Sequence, residues 1–190
     1  GQVKVVGAGL IGTSIGLALQ KLQVDVAIED VSPANQMLAI DYGAGRAVSS
    51  EDSPNLIIVC VPPDVTAAVV ARELEAHPEA FVTDVASVKS AILEQLRQNG
   101  SDLSRYVGSH PMAGRERGGA ASGRADLFFG RVWVVVPSET SSAKARQAVE
   151  NLALDLSSAP VEASAAEHDR AVAFVSHVPQ LISSITAASL

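Results

Sequence analysis

The sequence predicts an α/β fold with a doubly wound, mainly parallel sheet, followed by the start of an all-helical C-terminal domain. Three observations predict it. Short apolar runs alternate with segments of helical period from one end of the chain to the other. The first of those runs ends in a glycine-spaced turn that opens a helix. Beyond Ser164 the alternation gives way to one long apolar-striped helix. Domains are typically about 100 to 150 residues, so the 190-residue chain holds one full domain, residues 1–163, and the first part of another, residues 164–190.

The elements follow in order. Val3 to Val6 reads as a strand, Leu10 to Leu22 as a helix and Val24 to Ile28 as the second strand. Pro33 to Tyr42 is a helix with Ser32 as its N-cap and proline at its first position. Leu56 to Val61 is a strand, the Pro62-Pro63 pair a turn, and Val65 to Glu75 the next helix. Phe81 to Val85 forms a strand, and Val88 to Gln98 a helix for which Ser87 is a natural N-cap. His110 falls between a strand end and a glycine-bearing loop, and Ala113 to Ala125, without a period, is expected to be a mobile loop over a ligand site. Val132 to Val136 and Ala143 to Leu156 complete the sheet domain. The last helix, Ala165 to Leu190, is interrupted only by Pro179 and carries Val172, Val175 and Ile182 on one stripe that nothing else in the chain can cover. It is expected to open a helical domain that is truncated or completed by a partner subunit.

Composition narrows the function. A net charge of −7 and a pI near 5.0 argue against nucleic acid or an anionic membrane as partner, since both need clustered Lys and Arg. No signal segment or long apolar run is apparent, so a cytoplasmic protein is expected. The single cysteine, Cys60, lies in an apolar run and reads as a buried small group, not a reactive thiol. The four histidines have no metal-ligand spacing; His77, before Pro78, reads as solvated surface.

In Gly7-Ala8-Gly9-Leu10-Ile11-Gly12, the first glycine allows a tight turn, the second a close approach of backbone to a pyrophosphate, and the third close helix packing. With the strand before it and the helix after it, this is a Rossmann-type dinucleotide site, to which Leu10 and Ile11 contribute the helix N-terminus. Glu29 and Asp30 stand about 20 residues on, where a carboxylate accepts the adenosine ribose hydroxyls. Asp30 is preferred. The neighbouring Val31 brings no positive charge for a 2′-phosphate, which favours NAD over NADP. Val61 and Pro62 fall near the nicotinamide end, as ring-shaping backbone or as a plain loop terminator.

Together with the glycine turn, Thr83-Asp84-Val85-Ala86-Ser87-Val88-Lys89, Gly108-Ser109-His110-Pro111-Met112-Ala113-Gly114-Arg115-Glu116, Arg124 to Phe128 and Ser176-His177-Val178-Pro179 resemble the prephenate and arogenate dehydrogenases of tyrosine biosynthesis. The resemblance spans the chain. It implies an NAD-dependent oxidative decarboxylation of prephenate to 4-hydroxyphenylpyruvate, or of arogenate to tyrosine, by a homodimer paired through its helical domain. It implies that His110 is the base at the ring hydroxyl, and that Ser87 bonds to His110 or to that hydroxyl. His177, Glu116 and Ser109 would contact substrate. Of His168 and His177, nine positions apart on one helix, only one can face the cleft, and the resemblance selects His177. A core role for His177 and an exposed one for Glu116 stay open. Gln180 stands where many relatives have a further histidine, and the family's carboxylate-binding arginine is expected beyond residue 190. Other dehydrogenases of the β-hydroxyacid or imine reductase type, or a non-catalytic NAD-binding regulatory module, are the alternatives.

Overall fold

The computed structural model describes residues 1–113 and 119–174. One eight-stranded sheet has the order β3-β2-β1-β4-β5-β6-β7-β8. Its strands are β1 (Gln2–Val6), β2 (Asp25–Glu29), β3 (Arg46–Ala47), β4 (Leu56–Val59), β5 (Phe81–Asp84), β6 (Tyr106–Pro111), β7 (Val132–Pro137) and β8 (Ala159–Glu162). All pairs are parallel except β6 with β7. The exception has a simple cause: the described residues between β6 and β7 hold only a short 3-10 turn and no crossover helix, whereas a parallel neighbour requires one.

Helices α1 (Leu10–Lys21), α2 (Pro33–Asp41) and α5 (Ala143–Asp155) cover one face, and α3 (Pro63–Ala76) and α4 (Ser90–Gln98) the other. Ile15, Leu19, Val149 and Leu152 pack on the first face. Val70, Leu74, Ile92 and Leu96 pack on the second. Because both faces are buried, the central strands are apolar throughout, which is why they read as continuous runs. The chain runs outward through β2 and β3, then returns to place β4 on the far side of β1. This reversal leaves a crevice beyond the carboxyl ends of β1 and β4, the usual ligand position in such a sheet.

Several expected boundaries move. Helix α3 begins at Pro63 with Pro62 as its cap residue, so the proline pair starts a helix instead of ending a loop; a proline at the first helical position forgoes no intrahelical bond. Helix α4 begins at Ser90, and Ser87 is an exposed residue ahead of it that makes no cap. Its cap comes from far away: Asp169 accepts from the Lys89 and Ser90 amides, both at 2.9 Å. The expected mobile loop is docked over its second half, where a short 3-10 turn, Ala120–Ser122, buries Ala120 and the Arg124 amide donates to Ser14 Oγ of α1. Residues 165–174 continue as a helix, α6, whose first turn is tied to the sheet domain by that same Asp169. No helix among the described residues is long and apolar enough to cross a membrane.

Candidate active site

The glycine turn closes around a cleft of about 570 Å³ at the crevice. Gly7 has φ of +104°, and a Cβ there would collide with the Cys60 carbonyl; a Cβ on Gly12 would collide with the Gly7 carbonyl oxygen. Both positions therefore demand glycine. Gly9 faces open space, with no protein atom within 4 Å of where a Cβ would stand. Helix α1 starts there with no side-chain cap and no acidic residue in its first turn, so its free N–H groups address the cleft. Leu10, Ile11, Val61, Pro62 and Cys60 complete the wall. Burial, then the Asp84 charge, pushes the Cys60 thiol well above its ordinary range, so it is a lining group and not a nucleophile.

Against the glycine turn in the same cleft, Asp30 accepts from the Ala8 amide at 2.6 Å and the Ser32 amide at 2.7 Å. A carboxylate has about four lone-pair sites, so two remain for a ligand. Glu29 is spent elsewhere: it pairs with Lys4 at 2.7 Å and with Arg72 at 3.2 Å, and both cations also hold the buried Glu73. His77, expected to be solvated, stands half-buried 3.6 Å from Glu73 at the end of α3. Arg72 lines the cleft, a positive charge that local sequence did not reveal because it arrives from α3. Val31, also in the lining, is 99% exposed and offers an apolar surface to a planar group.

One strand beyond the cleft wall lies a buried polar group. Lys89 pairs with Asp84, which also accepts from the Tyr106 hydroxyl at 2.7 Å and the Ala86 amide at 2.9 Å. Burial lowers the Lys89 ammonium and raises the Tyr106 hydroxyl, with Asp84 opposing the first shift and adding to the second. Ser109, expected to contact substrate, lies on the opposite face of β6 from this group. Its hydroxyl is fully buried, donates to the Asp84 carbonyl at 2.9 Å and accepts from Thr83 at 3.1 Å. Successive residues of a strand face opposite sides of the sheet, so Tyr106, Gly108 and His110 share the face of the Asp84 and Lys89 side chains and Ser109 takes the other.

His110 is half-buried at the carboxyl end of β6, on the same sheet edge as the exposed Ser87 just past β5. Its Nδ1 lies 2.9 Å from His168 Nε2, with the rings edge to face and their centroids 5.1 Å apart. His168 Nδ1 in turn lies 2.8 Å from Asp169 Oδ1. Burial, then the His168 and Lys89 charges, lowers the His110 imidazole to about 4, so it is neutral at pH 7. A second cleft of about 600 Å³, largely apolar, is lined by Met112, Val132, Val134, Glu167, His168 and Val172.

The fold thus brings the glycine turn, Asp30, Ser87 and His110 to one edge of the sheet, with no hydrogen bond between Ser87 and His110. Glu116 and His177 lie outside the described residues. His168 was passed over in favour of His177, and only the three-dimensional contact identifies it as the neighbour of His110. Among the described residues no group of three or more His, Cys, Asp or Glu is arranged to hold a metal ion.

A sequence model of the family described as prephenate dehydrogenase, nucleotide-binding domain, matches residues 15–161. The chain is 39% identical over 186 residues to the probable prephenate dehydrogenase NovF of Streptomyces niveus, a match covering 98% of this chain and 51% of that protein. Among solved structures, Synechocystis arogenate dehydrogenase is similar with a TM-score of 0.88 at 26% identity, over 100% of this chain and 69% of that one. Prephenate dehydrogenase from A. aeolicus, solved in complex with hydroxyphenyl propionate and NAD+, shares the fold with a TM-score of 0.88 at 24% identity, over 100% of this chain and 68% of that one. The chain spans about half the length of the curated relatives it matches.

Proposed function

Because this chain belongs to the prephenate dehydrogenase family, of which it carries the nucleotide-binding domain, we propose that it binds NAD and serves the oxidative decarboxylation of prephenate or arogenate. The observation that carries the reading is the neutral imidazole of His110, held on the same sheet edge as the glycine-turn cleft and one strand beyond its wall. NAD, when bound, supplies the acceptor for the hydride that leaves the substrate ring.

The cleft suits such a group on several counts. The open approach at Gly9 and the uncapped α1 N-terminus would hold the pyrophosphate. The two spare lone-pair sites of Asp30 would take ribose hydroxyls, and Val31 would be covered by the adenine. Val61 and Pro62 would wall the nicotinamide end. On the substrate side, His110 removes the proton of the ring hydroxyl, and Ser87, exposed beside it, orients that hydroxyl. Glu116 and His177 would contact the polar end of the substrate, and residues 164–190 would open the helical domain through which two chains pair.

The test is the absorbance of reduced nicotinamide, followed with the full-length protein given prephenate or arogenate, each with NAD or NADP. Turnover of one substrate with NAD supports the reading; NAD binding without turnover of either replaces it with a non-catalytic cofactor module. Asp30→Ala carries a separate expectation. Hydrogen bonds to charged groups contribute about 1.5–3 kcal/mol, so NAD affinity should fall about tenfold or more. NADP, whose 2′-phosphate the carboxylate repels and the Arg72 guanidinium attracts, should lose less. Calorimetric titration with both cofactors reads the ratio, and an unchanged NAD-to-NADP preference would move the selecting role from Asp30 to Glu29.

A further inference from the structure

His110, His168 and Asp169 form a hydrogen-bonded chain, and its direction follows from counting protons. Partial burial pushes the Asp169 carboxyl up, but hydrogen bonds from Ser90, His168 and Lys89 overcome this and hold it at about 2. Ionised, it can only accept, so His168 carries its hydrogen on Nδ1. With that hydrogen placed, His168 presents a bare Nε2 to His110. Two bare nitrogens do not share a 2.9 Å contact, so His110 donates from Nδ1 and keeps its own Nε2 bare. These tautomers are assigned from the bonding pattern. Asp169 is itself fixed by the two amides at the start of α4, so the whole chain is anchored to the backbone.

The arrangement resolves a difficulty in the use of His110 as a base. A ring lowered to about 4, first of all by burial, holds an added proton poorly. His168 stands against a carboxylate instead. Resting on the reading of His110 as the base, we propose that His168 and Asp169 are a proton relay: as His110 Nε2 takes the hydroxyl proton, the His110 Nδ1 proton passes to His168 Nε2. The substrate O–H bond breaks as N–H forms at His110 Nε2. The N–H at His110 Nδ1 breaks as one forms at His168 Nε2, and the oxygen's electron pair becomes the carbonyl bond while the nicotinamide dinucleotide accepts hydrogen with its two electrons. His110 ends neutral, and the positive charge rests between His168 and Asp169, where burial makes the pairing strong. His168 and Asp169 are positioning residues, since only His110 meets substrate.

Among the described residues, the other charged groups around this chain are Lys89 at the α4 entry, Asp84 behind it on β5, and Glu167 and Arg131 around the cleft beside His168. None of these is bonded to either imidazole. His168→Gln separates relay from scaffold: a glutamine amide can accept the His110 Nδ1 proton but cannot carry it as a cation. The expected result in the full-length protein is a kcat lower by about tenfold or more, with KM and NAD affinity unchanged. Nitrogen-15 spectra of the wild-type histidines, which need no substrate or cofactor, should show protonated Nδ1 and bare Nε2 on His110. The opposite tautomer, or wild-type kcat in His168→Gln, overturns the relay. Loss of NAD binding and melting temperature along with kcat overturns it in favour of a scaffold role. Full turnover in His110→Ala removes the underlying reading, and the relay falls with it; normal turnover in His168→Gln beside a dead His110→Ala removes the relay alone.

Discussion

Replacing His110 by alanine is expected to lower turnover about 10²-fold or more while leaving NAD affinity nearly intact. Two decades correspond to about 2.7 kcal/mol of lost transition-state stabilisation. The separation of the two effects follows from where the side chain stands. The cofactor cleft is lined from the glycine turn to Gly119 without His110, so its removal leaves that wall in place. What is lost is the bare imidazole nitrogen on the substrate side and the partner of His168. Steady-state kcat with saturating NAD, beside an independent NAD titration, measures both. Weakened NAD binding with normal turnover would assign His110 to the cofactor and leave the hydroxyl proton without a base.

The second large effect is on stability. Lys89→Met leaves Asp84 with the Tyr106 and Ala86 bonds but without a counter-charge, at a position that is fully buried. Breaking a buried ion pair on one side typically costs about 3–5 kcal/mol. In a domain of this size each kcal/mol lowers the melting temperature by about 2–4 °C, so a fall of about 6–20 °C is expected. The double variant Asp84→Asn, Lys89→Met should recover much of that loss, since it removes both charges at once. Thermal unfolding of the wild type, both single variants and the double variant gives the coupling directly. A single-variant loss under about 1 kcal/mol would mean that water reaches the pair.

What was legible in the sequence was local. The glycine turn, its strand and its helix occupy consecutive positions, and both Glu29 and Asp30 line the cleft, with Glu29 paired to Lys4 and Arg72. Strand β6 was not recognised as an apolar run, because Gly108, Ser109 and Pro111 interrupt it. Had it been, alternation would have placed Ser109 and His110 on opposite faces. The contacts that could not be read are the distant ones. His110 and His168 are 58 positions apart, and the α4 cap reaches 80 positions to Asp169. Helical spacing predicts different faces for His168 and His177 but carries no information about which face meets the sheet. Arg72 escaped for the same reason, since nothing within its own helix says that the neighbouring cleft is open there.

The cap that Asp169 lends to α4 also orders events in time. The hydrogen bonds that shape the glycine turn lie within the first 60 residues, among them the Gly7 amide to Glu29, the Ala8 amide to Asp30 and the Cys60 amide to Val6. The first turn of α4, in contrast, waits for a residue that leaves the ribosome 80 positions later. Long-range closures of this kind are the slow ones, because the entropy of the intervening loop is lost before the contact forms. A nascent or cleaved chain that stops short of residue 168 therefore keeps the nucleotide fingerprint but has neither the second imidazole nor the α4 cap. Capacity to hold a cofactor and capacity to move a proton mature at different lengths of the same polypeptide.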